Sequence, residues 1–206
     1  SAVSALFSKT SENTIMINRS GATYTYKLTA ETINSPLLSE IYEENSKRIG
    51  YIYIDSFTNT VETEFAKALK EIEEKGIDSL IIDVRGNTGG YLKGATAISS
   101  QFLEKGKTIY SLEGKDSTDV YVDETDENRN YPVVVLINDG TASASEVLAS
   151  ALKESYGATL VGTLSYGKGK VQLTKNLEDG SMVKYTTARW LTPNGECNDE
   201  LGLEPD

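Results

Sequence analysis

Two side chains and one glycine pair in this sequence have the type and setting for chemistry. Ser143 lies in Thr141-Ala-Ser-Ala-Ser-Glu146, between an apolar run and a helical pattern. A hydroxyl there sits at the positive end of a helix, where backbone N–H groups favour a developing oxyanion. Ser143-x-x-Glu146 also spells a capping box, so a purely structural role stands beside the chemical one. Capping does not require the small neighbours Ala142 and Ala144, whereas close approach of a substrate backbone does. Lys168 stands between Gly167 and Gly169. A lone lysine is ordinarily a solvated surface charge, but glycines on both sides suggest a backbone held close to something. To act as a base, a lysine amine must be neutral, which calls for burial away from water, so Lys168 is expected to be buried and within reach of the Ser143 hydroxyl. Gln172, four residues on, is placed to aim that amine or else to face solvent from a strand. Gly89-Gly90 follows a second apolar run. It reads as a tight turn needing positive φ, or as an oxyanion hole in which the Gly89 N–H joins that of Ala144.

Composition narrows the chemistry further. The 206 residues contain no histidine and one cysteine, Cys197. Histidine-based triads and Cys-His pairs are thereby excluded, as are an internal disulfide and an ordinary zinc site. A hydrolase built from this chain must find its base among Lys, Asp, Glu and Tyr. With 31 acidic and 20 basic residues the net charge is −11, which argues against nucleic acid or an anionic membrane as a partner. No apolar run approaches the ~20 residues of a membrane span. The glycine patterns of nucleotide-binding loops are missing, and no cofactor or metal is expected.

These residues need elements to position them. Thr14–Asn18 and Thr23–Leu28 read as strands joined around Ser20-Gly21, and residues 2–8 as a short helix. Residues 34–48 are polar, contain Pro36 and read as a linker. Strand patterns follow at 50–55, 80–84, 132–137, 159–161, 171–173 and 182–186, with helical patterns at 61–75, 93–103 and 144–155. Residues 113–130 are acidic and polar and read as an exposed loop. Strands alternating with helices predict an α/β fold with a largely parallel sheet. In such sheets active sites gather beyond the carboxyl ends of strands, where the 86–90 and 141–146 loops fall.

The ordered motifs resemble the carboxyl-terminal processing proteases, a family of Ser–Lys endopeptidases. They are Gly50-Tyr-Ile-Tyr-Ile-Asp-Ser-Phe57, Ile82-Asp-Val-Arg-Gly-Asn-Thr-Gly-Gly90, Val135 through Glu146, Val161 through Gln172, Leu191-Thr-Pro-Asn-Gly195 and Gly202-Leu-Glu-Pro-Asp206. The resemblance covers residues 49–206. It implies Ser143 rather than Ser145 as nucleophile, Lys168 as base at the expected separation (168 − 143 = 25) and Gln172 as its support. For the fold it implies the stacked ββα units of the Clp-protease/crotonase-like arrangement. Residues 1–33 resemble the second half of a PDZ domain, so the expected organisation is a partial PDZ-like segment at 1–33, a linker at 34–48 and a catalytic domain at 49–206.

The implied activity is endoproteolysis of polypeptides near their carboxyl termini through an acyl-enzyme, in an extracytoplasmic location. Its partners would be protein or peptide substrates. A non-catalytic peptide-binding scaffold of the same fold and a Ser–Lys amidase or esterase are the competing functions. With early PDZ strands missing, residues 1–33 are not expected to close a peptide groove. Their open hairpin edge instead invites pairing between chains, so the segment is expected either to be mobile or to support a homodimer.

Overall fold

The computed structural model describes residues 12–29 and 37–206. Two compact units divide at residues 34 and 35. The short helix expected at residues 2–8 lies outside the described residues. In the first unit β1 (Glu12–Arg19) and β2 (Ala22–Thr29) pair antiparallel, with Ile15 opposite Tyr26 and Ile17 opposite Tyr24. Ser20 and Gly21 both take positive φ, at 53° and 80°, which is what a two-residue hairpin turn matched to strand twist requires. Met16, Ile17, Tyr24, Tyr26 and Leu28 are exposed on this hairpin.

The second unit contains two sheets. The first has the order β3-β4-β5-β8-β9, from β3 (Leu37–Glu44), β4 (Lys47–Ile54), β5 (Ser79–Asp83), β8 (Val133–Ile137) and β9 (Thr159–Gly162). Strands β4, β5, β8 and β9 are parallel, and β3 runs antiparallel along the edge. The second sheet is antiparallel with the order β10-β11-β6-β7, from β6 (Thr108–Glu113), β7 (Thr118–Val122), β10 (Lys170–Asn176) and β11 (Met182–Leu191). The parallel sheet thus follows the alternating pattern of the sequence, and the antiparallel sheet is an addition to it.

Helix α1 (Val61–Glu73) connects β4 to β5, and Val61, Phe65, Ala68, Leu69 and Ile72 form its buried stripe. Glu62 and Glu64 in its first turn and Lys70 in its last complement the helix dipole. Phe65 is fully buried and meets Phe102 edge-on, with ring centroids 6.1 Å apart. Burying a side chain of that size contributes about 1.5–3 kcal/mol. Helix α2 (Leu92–Ser100) ends earlier than its apolar pattern suggests, because Gln101 and Phe102 donate to carbonyls three residues back and tighten the last turn. Helix α3 (Ala144–Ala151) passes into one π turn, Leu152–Tyr156, stopped by Gly157 at φ 94°.

Two expectations are corrected. Residues 37–44, read as part of a linker, form β3; Leu37 and Ile41 pack on the core while Leu38, Ser39 and Glu40 between them are exposed. The 113–130 loop contains β7, whose Tyr121 stacks on Tyr110 of β6 with ring centroids 4.5 Å apart. In both strands cross-strand partners, rather than a continuous apolar face, hold the chain extended.

At the end of α1 the Glu73 carboxylate accepts from Arg129 Nε at 2.9 Å and from the Tyr131 hydroxyl at 2.7 Å. Burial pushes its pKa up, but the bonds from Arg129 and Tyr131 outweigh that and hold it below the ordinary 4.5. A depressed folded value gives stability that is present above the unfolded value and fades as pH falls through the folded one. Glu73→Gln should therefore lower the urea midpoint at neutral pH and flatten its decline below about pH 4.5, measured by unfolding across a pH series.

Candidate active site

Both loops named from the sequence lie beyond the carboxyl ends of adjacent parallel strands, 86–90 after β5 and 141–146 after β8. Asn138 and Thr141 tie them together. Asn138 Oδ1 accepts from the Gly86 and Gly140 N–H groups at 2.8 and 3.0 Å. Thr141 Oγ1 donates to the Val84 carbonyl at 2.8 Å.

Ser143 caps α3 with φ 58° and ψ −118°, a region that costs a non-glycine residue about 1–3 kcal/mol. Ser145 is fully buried and donates its hydroxyl to the Asn87 carbonyl at 2.9 Å, while Ser143 is half-buried and lines a cavity. That cavity, of about 240 Å³, brings Ser143 together with Lys168, Gln172 and Gly90; Leu92, Val147, Val171 and Trp190 supply its apolar wall.

The capping glutamate does far more than cap. Glu146 is fully buried, and Oε2 accepts the Ser143 N–H at 2.8 Å and the Lys168 N–H at 2.9 Å. Oε1 accepts the Ser165 hydroxyl at 2.6 Å, the Gly167 N–H at 2.8 Å and the Asn198 amide at 3.2 Å. One carboxylate oxygen thus joins the backbones of the two residues singled out for chemistry. The Lys168 carbonyl in turn accepts from Trp190 Nε1 at 2.8 Å. The glycines flanking Lys168 are held where the sequence pattern implied. A Cβ on Gly167 would meet Gly202 N at 2.8 Å, and one on Gly169 would meet Asp199 Cβ at 2.6 Å.

Two expectations change here. Lys168 is exposed rather than buried, because the close approach of its glycines is to the 198–202 segment and leaves the side chain in the open cavity. Gly89 is buried against Ser143, since a Cβ on it would lie 2.9 Å from Ser143 Cβ and 3.0 Å from Ala144 N. Its N–H is already given to Asn87 Oδ1 at 2.9 Å. Among the described residues the N–H groups of Ala144 and Gly90 donate no hydrogen bond, and Gly90 is the glycine that lines the cavity. Gln172 is exposed, with Nε2 3.5 Å from Thr186 Oγ1. Asn87, Trp190 and Asn198 escaped the sequence reading; only Asn87, inside the glycine-rich turn, stood near a signal.

The model of peptidase family S41 matches residues 48–206. The chain belongs to that family. Among relatives of this S41 chain, carboxy-terminal processing protease CtpA of Bacillus subtilis is 42% identical over 171 residues, covering 82% of this chain and 37% of that protein. A probable CtpA-like serine protease of Staphylococcus aureus is 35% identical over 198 residues, covering 95% of this chain and 39% of the other. The chain therefore spans well under half the length of these relatives. The solved photosystem II D1 C-terminal processing protease superposes with a TM-score of 0.77 at 30% identity, over 96% of this chain and 55% of that one. The resemblance in the motifs is thus a family relationship, and the S41 fold is the mixed α/β architecture described above.

Because Glu146 balances five donors, substitution should disturb both halves of the site together. Glu146→Gln replaces one acceptor oxygen by an NH₂ facing other donors, and should cost about 3 kcal/mol of stability. Denaturant unfolding of the variant against the parent protein measures this.

Proposed function

We propose that this S41 chain carries out serine endoproteolysis of polypeptides near their carboxyl termini, with Ser143 as nucleophile and Lys168 as general base. The observation that carries the reading is the shared cavity, in which Ser143 and Lys168 meet on backbones joined by one Glu146 oxygen. In this reading residues 49–206 form stacked ββα units of the Clp-protease/crotonase kind, and the β1–β2 hairpin is a piece of a PDZ-like module.

The neutral Lys168 amine takes the Ser143 proton as the hydroxyl oxygen bonds to the peptide carbonyl carbon. The carbonyl oxygen becomes an oxyanion, held by the Ala144 N–H and by the glycine pair. Gly90 supplies the open N–H and Gly89 the close approach. Collapse breaks the C–N bond, and the lysine ammonium returns the proton to the leaving amine, leaving an acyl-serine. Water then adds to the acyl carbon, giving its proton to Lys168, and the carboxylic acid departs as Ser143 is restored. Gln172 aims the amine from the neighbouring strand. A peptide filling the cavity would displace water from Lys168, as a neutral base requires.

Positioned general-base catalysis contributes roughly 10²–10⁴-fold, and a backbone oxyanion donor a comparable factor. Ser143→Ala should abolish turnover of an unstructured peptide and labelling by a fluorophosphonate, with the melting temperature shifted by only a few degrees. Lys168→Ala should retain less than about a tenth of the activity. Labelling that persists in Ser143→Ala and is lost in Ser145→Ala would sink the assignment. Hydrolysis of small esters without any peptide cleavage would favour an esterase instead.

A further inference from the structure

The Ser143 cavity holds more positive charge than a Ser–Lys reaction uses. Lys168, Lys170 and Lys184 all line it, and no carboxylate does, although the chain as a whole carries a net charge of −11. Lys170 is neutralised by Asp199 and Glu200, at 2.9 and 3.2 Å. Lys184 forms no ion pair among the described residues.

Strand register fixes where Lys184 stands. Gln172 pairs with Thr186, and Thr174 with Lys184. Residues two apart on a strand share a face, so Lys184 shares one with Gln172 and Thr186. That is the face whose Gln172 lines the cavity. The other face carries Leu173, Val183 and Tyr185. The β10–β11 ribbon therefore presents an ammonium without an ion pair to anything lying across Ser143, while Asp199 and Glu200 are engaged by Lys170.

We propose that Lys184 is a specificity-determining residue that pairs with an aspartate or glutamate side chain of the peptide in the Ser143 cavity. This rests on the peptidase reading and adds a substrate preference to it. An ammonium facing solvent gains little from a single exposed partner, and about fivefold in affinity or rate is the expected scale. The preference should weaken as salt screens the pair.

The test is a set of N-acetylated, C-terminally amidated peptides in which glutamate is exchanged for glutamine at successive positions around the cleaved bond. Both ends are blocked, so a terminal carboxylate plays no part. The wild-type chain should show kcat/KM about fivefold higher for glutamate at one position, declining with added salt. In Lys184→Met that ratio should fall to about one, and in Lys184→Arg it should return. Equal rates at every position, or a preference that survives in Lys184→Met, would overturn the proposal while leaving peptide cleavage intact. If the wild-type chain cleaves none of the peptides, the peptidase reading fails. Fluorescence anisotropy of the labelled glutamate and glutamine peptides on Ser143→Ala protein, with and without Lys184→Met, then decides the proposal alone.

Discussion

A carboxylate sealed from water without a cation beside it is among the costliest groups a protein can hold, and Glu146 is one. Its compensation comes entirely from N–H and O–H donors drawn from four places: the start of α3, Ser165, the Gly167–Lys168 backbone and Asn198. Removing any one donor leaves the rest of the charge unsatisfied, so these segments are bound to one another more tightly than their own contacts would hold them. The carboxylate also stands in the first turn of α3, where the helix dipole favours it. The two residues proposed to react, Ser143 and Lys168, are consequently located by a buried carboxylate that does not line their cavity.

This constraint reaches into the sheet. With the Ser143 N–H fixed from one side, the 141–143 backbone is fixed from the other by the Thr141 bond to Val84 and the Ala142 bond to Asn87. The unfavourable φ of Ser143 persists because both anchors hold it. Only glycine fits at 89, where any side chain would strike the Ala142 carbonyl at 2.8 Å. Asn87 closes the loop by binding Ile54 across the sheet through Nδ2 and Gly89 through Oδ1. Under the proposed chemistry, donors for a developing charge are thus held in place by the fold itself, the arrangement in which electrostatic stabilisation is strongest.

How much of this was legible depended on whether the information was local. The parallel strands declared themselves as short apolar runs, and Val133–Ile137 is buried almost as its composition demands. Helix α1 followed from its periodicity. Strand β7 did not, because it is exposed along its length and its stability lies in its pairing with β6, as where Tyr121 sits opposite Tyr110. Strand β3 was hidden in the same way by glutamates on its outer face. At the site, Ser143, Lys168 and the glycine pair could be found from neighbours in sequence. The five-donor role of Glu146 could not, since the capping box explained it fully at close range and its remaining donors lie up to 52 residues away. The exposure of Lys168 was misjudged for a related reason: flanking glycines report where a backbone is crowded, not where the side chain between them goes.

The result is a site whose backbone is tied down and whose candidate base is not. Lys168 is gripped at its N–H by Glu146 and at its carbonyl by Trp190, while its side chain stands in the open cavity. Under the proposed chemistry, the freedom left to it is confined to side-chain torsions, and the water around it must be expelled for the amine to lose its proton. Neither the carboxylate network nor the sheet can do that, because both act on the main chain. Expulsion falls to whatever fills the cavity between Leu92, Val147 and the β10–β11 ribbon. The charge that ribbon carries at Lys184 lines the same cavity, so under the two proposals the ligand that fills the space beside Lys168 is also the one whose acidic side chain meets Lys184. Under those proposals substrate recognition and catalysis share one cavity, although Lys184 lies on β11 and Lys168 in the loop that precedes β10.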